Sequence, residues 1–165
     1  MSTKKEFYFP SADGKTQIRA VAHIPEETPE AILQISHGMV EFIDRYDDFA
    51  AYLAEKNILV VGNEHLGHGS SVLSKEKYGY FAEKNGKNIV LSDLYQLTAI
   101  VKEKYPALPY FLLGHSMGSF FARQYLCTYG SQLNGAIIMG TGRHCLPETT
   151  AGKMLPSLIA LFKGW

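Results

Sequence analysis

Gly114-His115-Ser116-Met117-Gly118 sets a serine between two glycines at G-x-S-x-G spacing, after the buried-strand run Tyr110 to Leu113 and before the helix-like run Ser119 to Tyr129. A sharp strand-to-helix turn holds such a serine in a strained conformation with its hydroxyl presented outward. The positions two before and two after it must then be small to clear the neighbouring strand and helix. Gly114 and Gly118 meet that demand. The chemistry open to this serine is nucleophilic attack on a carbonyl through a covalent intermediate. The start of the next helix aims free N–H groups and a positive dipole end at the place where an oxyanion develops. The Met117 N–H is therefore the expected first oxyanion donor. The pentapeptide alone is a weak sign, and its strand-turn-helix setting carries the reading.

A second stretch supports the first. Ala31 to Ser36 reads as a buried strand ending at His37-Gly38-Met39, and the other oxyanion N–H of such a site lies in the loop after the third strand, often at an HG-type sequence. The Met39 N–H is the expected second donor, with His37 and Gly38 shaping the loop. Sites of this kind also need a histidine base and an acid, and these follow the serine in chain order. The chain offers no convincing base. His23 precedes the third strand, His37 belongs to the oxyanion loop, His115 is expected to point away from its neighbour Ser116, and His144 follows the last strand. His65 and His68 lie in a loop near the site. Their spacing differs from the helical pair of H-E-x-x-H, so they read as loop-packing residues and no metal site is expected. His144-Cys145 makes a poor dyad, because adjacent side chains in an extended segment diverge.

The elements that must position these residues alternate between strand and helix from about residue 31, the pattern of a parallel sheet covered by helices. Before that, Phe7 to Phe9 and Thr16 to Ile24 read as an antiparallel pair turning at Asp13-Gly14. A helix is expected from about Arg45 to Lys56, with Tyr46, Phe49, Ala50 and Leu53 on its apolar stripe, Asp44 as N-cap and Asn57 as C-cap. Ile58 to Gly62 is the fourth strand, and Asn63 to Ser71 is a polar loop at its carboxyl end, where such sheets bind ligands. Ile89 to Tyr105 carries Val90, Leu94, Leu97 and Val101 at helical spacing and stops at Pro106. Gly130 should end the elbow helix, and Ala136 to Met139 is the last strand. Leu155, Leu158, Ile159 and Phe162 share one face of a final helix-like run, Ala151 to Trp165, too short to span a bilayer. It reads as a helix that belongs against other protein, with a membrane-surface helix as the alternative.

A chain of 165 residues with 46% hydrophobic content suits one globular domain. Sixteen basic residues balance sixteen acidic ones, so no field gathers nucleic acid or an anionic membrane. Glu26-Glu27 and Lys102-Glu103-Lys104 read as solvated faces. Two cysteines, Cys127 and Cys145, form no disulfide framework and suggest a reducing compartment. With no signal-peptide pattern at the start, a cytoplasmic location is expected.

Taken together, these residues resemble the α/β-hydrolase fold, and within it the lysophospholipase and monoacylglycerol lipase group of serine aminopeptidase-like hydrolases. His37-Gly38-Met39-Val40-Glu41 with Arg45-Tyr46 is similar to that family's oxyanion segment. Glu64-His65-Leu66-Gly67-His68-Gly69-Ser70-Ser71 resembles its D-x-x-G-H-G-x-S loop, and Leu112 to Gly118 its nucleophile strand and elbow. The resemblance implies Ser116 as nucleophile, Met39 and Met117 N–H groups as oxyanion hole, an acyl ester of lysophospholipid or monoacylglycerol type as substrate, and no metal or organic cofactor. Glu64 stands where the family usually has Asp. The resemblance also implies further chain for the triad acid and histidine, so a fold truncated after about the sixth strand is expected. Residues 1–146 would form the amino-terminal part of the core and 147–165 the start of a cap. The alternative is a catalytically incomplete fragment or subunit that needs another chain. Its edge strand, Ala136 to Met139, would then invite self-association.

Overall fold

The computed structural model describes residues 2–142. The run from Ala151, the 147–165 cap segment and the pair His144-Cys145 lie outside the described residues. Six strands form one sheet: β1 (Thr3–Pro10), β2 (Gln17–Ile24), β3 (Ala31–Ser36), β4 (Ile58–Asn63), β5 (Tyr110–His115) and β6 (Gly135–Met139). Their order is β1-β2-β4-β3-β5-β6. β1 and β2 pair antiparallel, as do β2 and β4, while β3, β4, β5 and β6 run parallel. Three helices cover the sheet: α1 (Asp47–Ala54), α2 (Gly86–Lys104) and α3 (Met117–Tyr129).

Alternation along the strands divides the core into two layers. Ile32, Leu59, Val61, Tyr110 and Leu112 pack with Val90, Leu94, Leu97 and Val101 of α2 and with Phe121, Ala122 and Tyr125 of α3. The opposite residues, Leu33, Ile35, Val60 and Leu113, pack with Ile43 and Ala50 beside α1. Side chains of this size each contribute roughly 1.5–3 kcal/mol when fully buried, and strands apolar on both faces are what a sheet covered on both sides requires. Gln34, in the middle of β3, is a fully buried polar residue in this core. Its amide donates to the Leu94 carbonyl at 2.9 Å, and its oxygen accepts from Tyr110 at 2.6 Å and Thr98 at 2.7 Å. Those bonds meet the requirement that a buried amide find partners.

The β1–β2 connection turns where expected. Asp13 accepts from the Lys15 and Thr16 N–H groups at 2.7 and 2.8 Å and from the Thr16 hydroxyl at 2.7 Å, with Gly14 at φ 72°. The helix expected from Arg45 divides into a 3-10 turn, Ile43–Tyr46, and α1. Asp44 is not its cap: it sits in the 3-10 turn and bonds Arg19 and Lys4. Phe49 is exposed, and Ala54 takes a buried place beside Ala50. The C-cap of α1 is Glu55 and not Asn57, which follows two residues later as a left-handed residue at φ 60° in the turn to β4. Among the described residues no helix is long and apolar enough to cross a membrane.

Asp93, on α2, is fully buried and accepts from the Ser11 hydroxyl at 2.8 Å and the Ala12 N–H at 2.7 Å, fastening the β1–β2 turn to the helix. Burial pushes its carboxyl up to about 6, against the pull of those two bonds. A carboxyl raised in the folded state contributes stability below its unfolded value, and that stability is lost as pH rises through about 6. Asp93→Asn keeps one acceptor and adds one donor without the charge. Relative to wild type, the variant should gain about 3 kcal/mol between about pH 4 and about pH 7, measured by urea unfolding at the two ends of that window.

Candidate active site

β5 delivers Ser116 to the carboxyl end of the sheet, and α3 begins at the next residue. Ser116 has φ 51° and ψ −117°, a conformation that costs a non-glycine residue on the order of 1–3 kcal/mol and persists only where its surroundings enforce it. The enforcing contacts are visible. The Ser116 N–H donates to the Met139 carbonyl on β6 at 2.9 Å, and the Ser116 carbonyl accepts from Ser119 N–H at 2.9 Å and Ser119 hydroxyl at 2.6 Å. The flanking glycines are sterically required. A Cβ on Gly114 would lie 2.7 Å from that of Ala122, and one on Gly118 would run into the Ser36 and His37 carbonyls.

That close approach sets the His37 to Val40 loop beside the serine. A Cβ built on Gly38 would sit 3.3 Å from the Ser116 Cβ. The Gly38 N–H is occupied, donating to Glu41 at 2.9 Å. Among the described residues the Met39 and Met117 N–H groups have no acceptor. Val40, a β-branched residue at φ 56°, turns the loop outward and is largely exposed. Beside it opens a cleft of about 540 Å³, with Met39, Val40, Phe42, Tyr78, Phe81 and Met117 in its wall.

Two buried imidazoles brace the loop from below. His37 Nε2 accepts from the His65 N–H at 2.9 Å, which leaves the proton on Nδ1 to donate to the Gly38 carbonyl at 2.7 Å. His65 Nε2 donates to the His37 carbonyl at 3.0 Å. Burial pushes His37 down to about 4 and His65 well below its ordinary value, so both rings are neutral. His68 completes a packed group, its ring 5.5 Å from that of His37. Among the described residues no three or more histidine, cysteine or acidic side chains are arranged to hold a metal ion.

Glu64 holds the neighbouring loop, Asn63 to Ser71. Its carboxylate occupies the space a Cβ on Gly69 would need, accepts from the Ser70 N–H at 2.6 Å, and pairs with Arg19 at 3.0 Å. Burial nonetheless holds the carboxyl above its usual value. His115 is turned to other partners, with Nδ1 3.2 Å from the Tyr46 hydroxyl and 3.5 Å from Glu41. Tyr46 donates to Glu41 at 3.0 Å. Burial opposes the charge on Glu41, but bonds from Gly38, Tyr46 and His115 outweigh it and hold the carboxyl below its ordinary value. Sequence reading gives Tyr46 only a place on an apolar stripe and Glu41 only a place in a motif, and misses their bonds to each other and to His115. The signal was their place in the His37 to Tyr46 stretch, but only the fold brings His115 to them.

A mostly parallel sheet with helices on both faces and a serine on the strand-to-helix elbow after β5 is the α/β-hydrolase architecture. Residues 27–162 match the family described as serine aminopeptidase, S33, and the chain belongs to that family. A monoglyceride lipase of Rattus norvegicus is 38% identical over 94 residues, 57% of this chain and 29% of that protein. A monoglyceride lipase homolog of Monkeypox virus is 36% identical over 115 residues, 70% of this chain and 40% of its own length. Among solved structures, a thermostable carboxyl esterase from Bacillus coagulans superposes with a TM-score of 0.85 at 34% identity, covering 99% of this chain and 53% of the esterase. The chain thus spans about half of that esterase and less of the two lipase sequences.

The Gly118 contact gives a direct test of the packing. Gly118→Ala should lower stability by about 3 kcal/mol or more, because the carbonyls it strikes are backbone. Gly130 has open space around it and φ −57°. Gly130→Ala should therefore be neutral or stabilise by roughly 0.4–1 kcal/mol. Chemical unfolding of the two variants side by side reads both effects.

Proposed function

We propose that this chain carries the nucleophile of a serine hydrolase that cleaves carboxylic esters of monoacylglycerol or lysophospholipid type. The observation that carries the reading is Ser116 itself, held at φ 51° at the start of α3 beside the Gly38 turn, with the Met39 and Met117 N–H groups without an acceptor among the described residues. In the reaction, Ser116 Oγ attacks the ester carbonyl as its proton passes to a histidine. The tetrahedral oxyanion accepts from the Met39 and Met117 N–H groups. Collapse expels the alcohol, which takes the proton, and leaves an acyl-enzyme. Water then adds to the acyl carbonyl by the same route and frees the carboxylate and Ser116. The apolar wall of the cleft and the monoglyceride lipases among the relatives support an acyl chain as the group beside the serine.

In this reading the general base comes from outside the described residues, because each described histidine is already engaged elsewhere. His23 pairs with Asp47, His37 and His65 with the oxyanion loop, His68 lies 3.3 Å from the Leu66 carbonyl, and His115 faces Glu41 and Tyr46. That observation also favours a second reading, in which the chain is a folded but incomplete hydrolase that needs another chain for its histidine and acid. Loss of the base would lower kcat on the order of a millionfold, by analogy with triad knock-outs.

Reaction of the purified chain with a fluorophosphonate, followed by peptide mass analysis, separates the two. Labelling at Ser116, abolished in Ser116→Ala and unchanged in Cys127→Ala, is the result expected of a complete hydrolase. Labelling at another residue overturns the nucleophile assignment. A chain folded by circular dichroism that takes no label selects the second reading.

A further inference from the structure

A second pocket lies at the opposite end of the sheet from Ser116, near the start of β4 and the carboxyl end of α2. Its volume is about 210 Å³, and Phe7, Ala22, Ile24, Leu59, Ile100 and Tyr105 supply most of its apolar wall. Among the described residues two charged side chains line it, Lys5 on β1 and Lys104 on α2, and no acidic side chain does. Lys5 faces the pocket because it lies two residues from Phe7 on the same side of β1, opposite Ala22 in the β1–β2 register. Lys104 follows Ile100 by one helical turn. Among the described residues neither lysine has an ion-pair partner, and Lys104 instead lies 5.3 Å from the centre of the Tyr105 ring.

We propose that this pocket binds a short or medium-chain alkyl carboxylate, with the alkyl chain along the Phe7, Ile24, Leu59 and Ile100 wall and the carboxylate between Lys5 and Lys104. The shape and the charge each select this ligand. Drug-sized ligands occupy sites of roughly 300–1,000 Å³, so a 210 Å³ pocket admits a narrow chain and not a large ring system or a long acyl chain held whole. The end of α2 contributes about half a negative charge at its last carbonyls, and two ammonium groups outweigh it. An alkyl ammonium ion meets the opposite balance and is excluded. The pocket lies on the β1, β2 and β4 side of the sheet, whereas β6 forms the far edge. The binding step involves no group of the elbow, so this inference stands apart from the reading of Ser116.

Octanoate, below its micellar concentration, is the probe, titrated into the isotopically labelled chain and followed by two-dimensional NMR. Saturable shifts should centre on residues 5–7, 22–24 and 100–105. Hexanoate, with two fewer methylenes to bury, should bind about tenfold more weakly. Lys5→Glu/Lys104→Glu, two exposed positions whose change leaves the core intact, should weaken octanoate by about tenfold or more. Shifts confined to residues 39–42 and 117 would mean that the chain enters only the cleft beside the serine, and would overturn the proposal. Equal binding of octylammonium, or no saturable shift in the folded chain, would overturn it as well.

Discussion

The contact on which the candidate site depends is between backbone and backbone. α3 approaches the end of β3 so closely that no atom larger than hydrogen fits between Gly118 and the carbonyls of Ser36 and His37. Because β3 leads directly into the His37 to Val40 loop and α3 begins at the residue after Ser116, this one approach sets that loop against the serine. A side chain at the contact would separate the two, and interiors packed at crystal density have little give with which to absorb it. Ser116 keeps its unfavourable φ because bonds to β6 and to Ser119 hold it on both sides.

The polar residues under the site follow from the same crowding. A loop pressed against a helix start leaves carbonyls without solvent, and a buried carbonyl must find a donor. His37 and His65 supply those donors as neutral rings: the His37 proton is fixed on Nδ1 because Nε2 accepts from the His65 N–H, and His65 donates from Nε2 to the His37 carbonyl. The charged groups lie one layer farther out, where Arg19 gathers Glu6 from β1, Asp44 from the 3-10 turn and Glu64 from the loop after β4. Chiefly through its bonds with Arg19, Asp44 is held well below the usual carboxylate range. Such a network adds little net stability once desolvation is counted, but it joins β1, the 3-10 turn and the loop after β4 through one side chain.

Strands β3 and β5 and the stripe on α2 were legible because each carries a run of apolar residues at the period of its element. The elbow was legible because its two glycines and serine satisfy a local steric demand. What escaped the sequence is long-range. Asp44 looked like a helix cap because an acid before an apolar stripe usually is one, and nothing local reveals that Arg19 on β2 takes it. Phe49 fitted the stripe by spacing, but the 3-10 turn starts the helix later, and Ala54 takes the buried place beside Ala50. Glu41 stood in the sequence only as part of the His37 to Glu41 stretch, and its hold on Gly38, Tyr46 and His115 appears only when β5 is set next to β3. Glu64 in place of Asp looked like a local departure, and the fold shows the longer side chain reaching under Gly69 to Arg19.

The strand order also bears on when the serine acquires its conformation. β3 pairs on one side with β4, which follows it after a single short helix, and on the other with β5, which arrives only after the long loop and α2. Closing the second pairing is the slow, non-local step expected of parallel sheets. Until it closes, Gly118 has no Ser36 carbonyl beneath it, and until β6 joins β5, Ser116 lacks the Met139 carbonyl that fixes its amide. A nascent chain therefore holds Ser116 as an ordinary, relaxed hydroxyl, and the strained conformation arises only with the finished sheet.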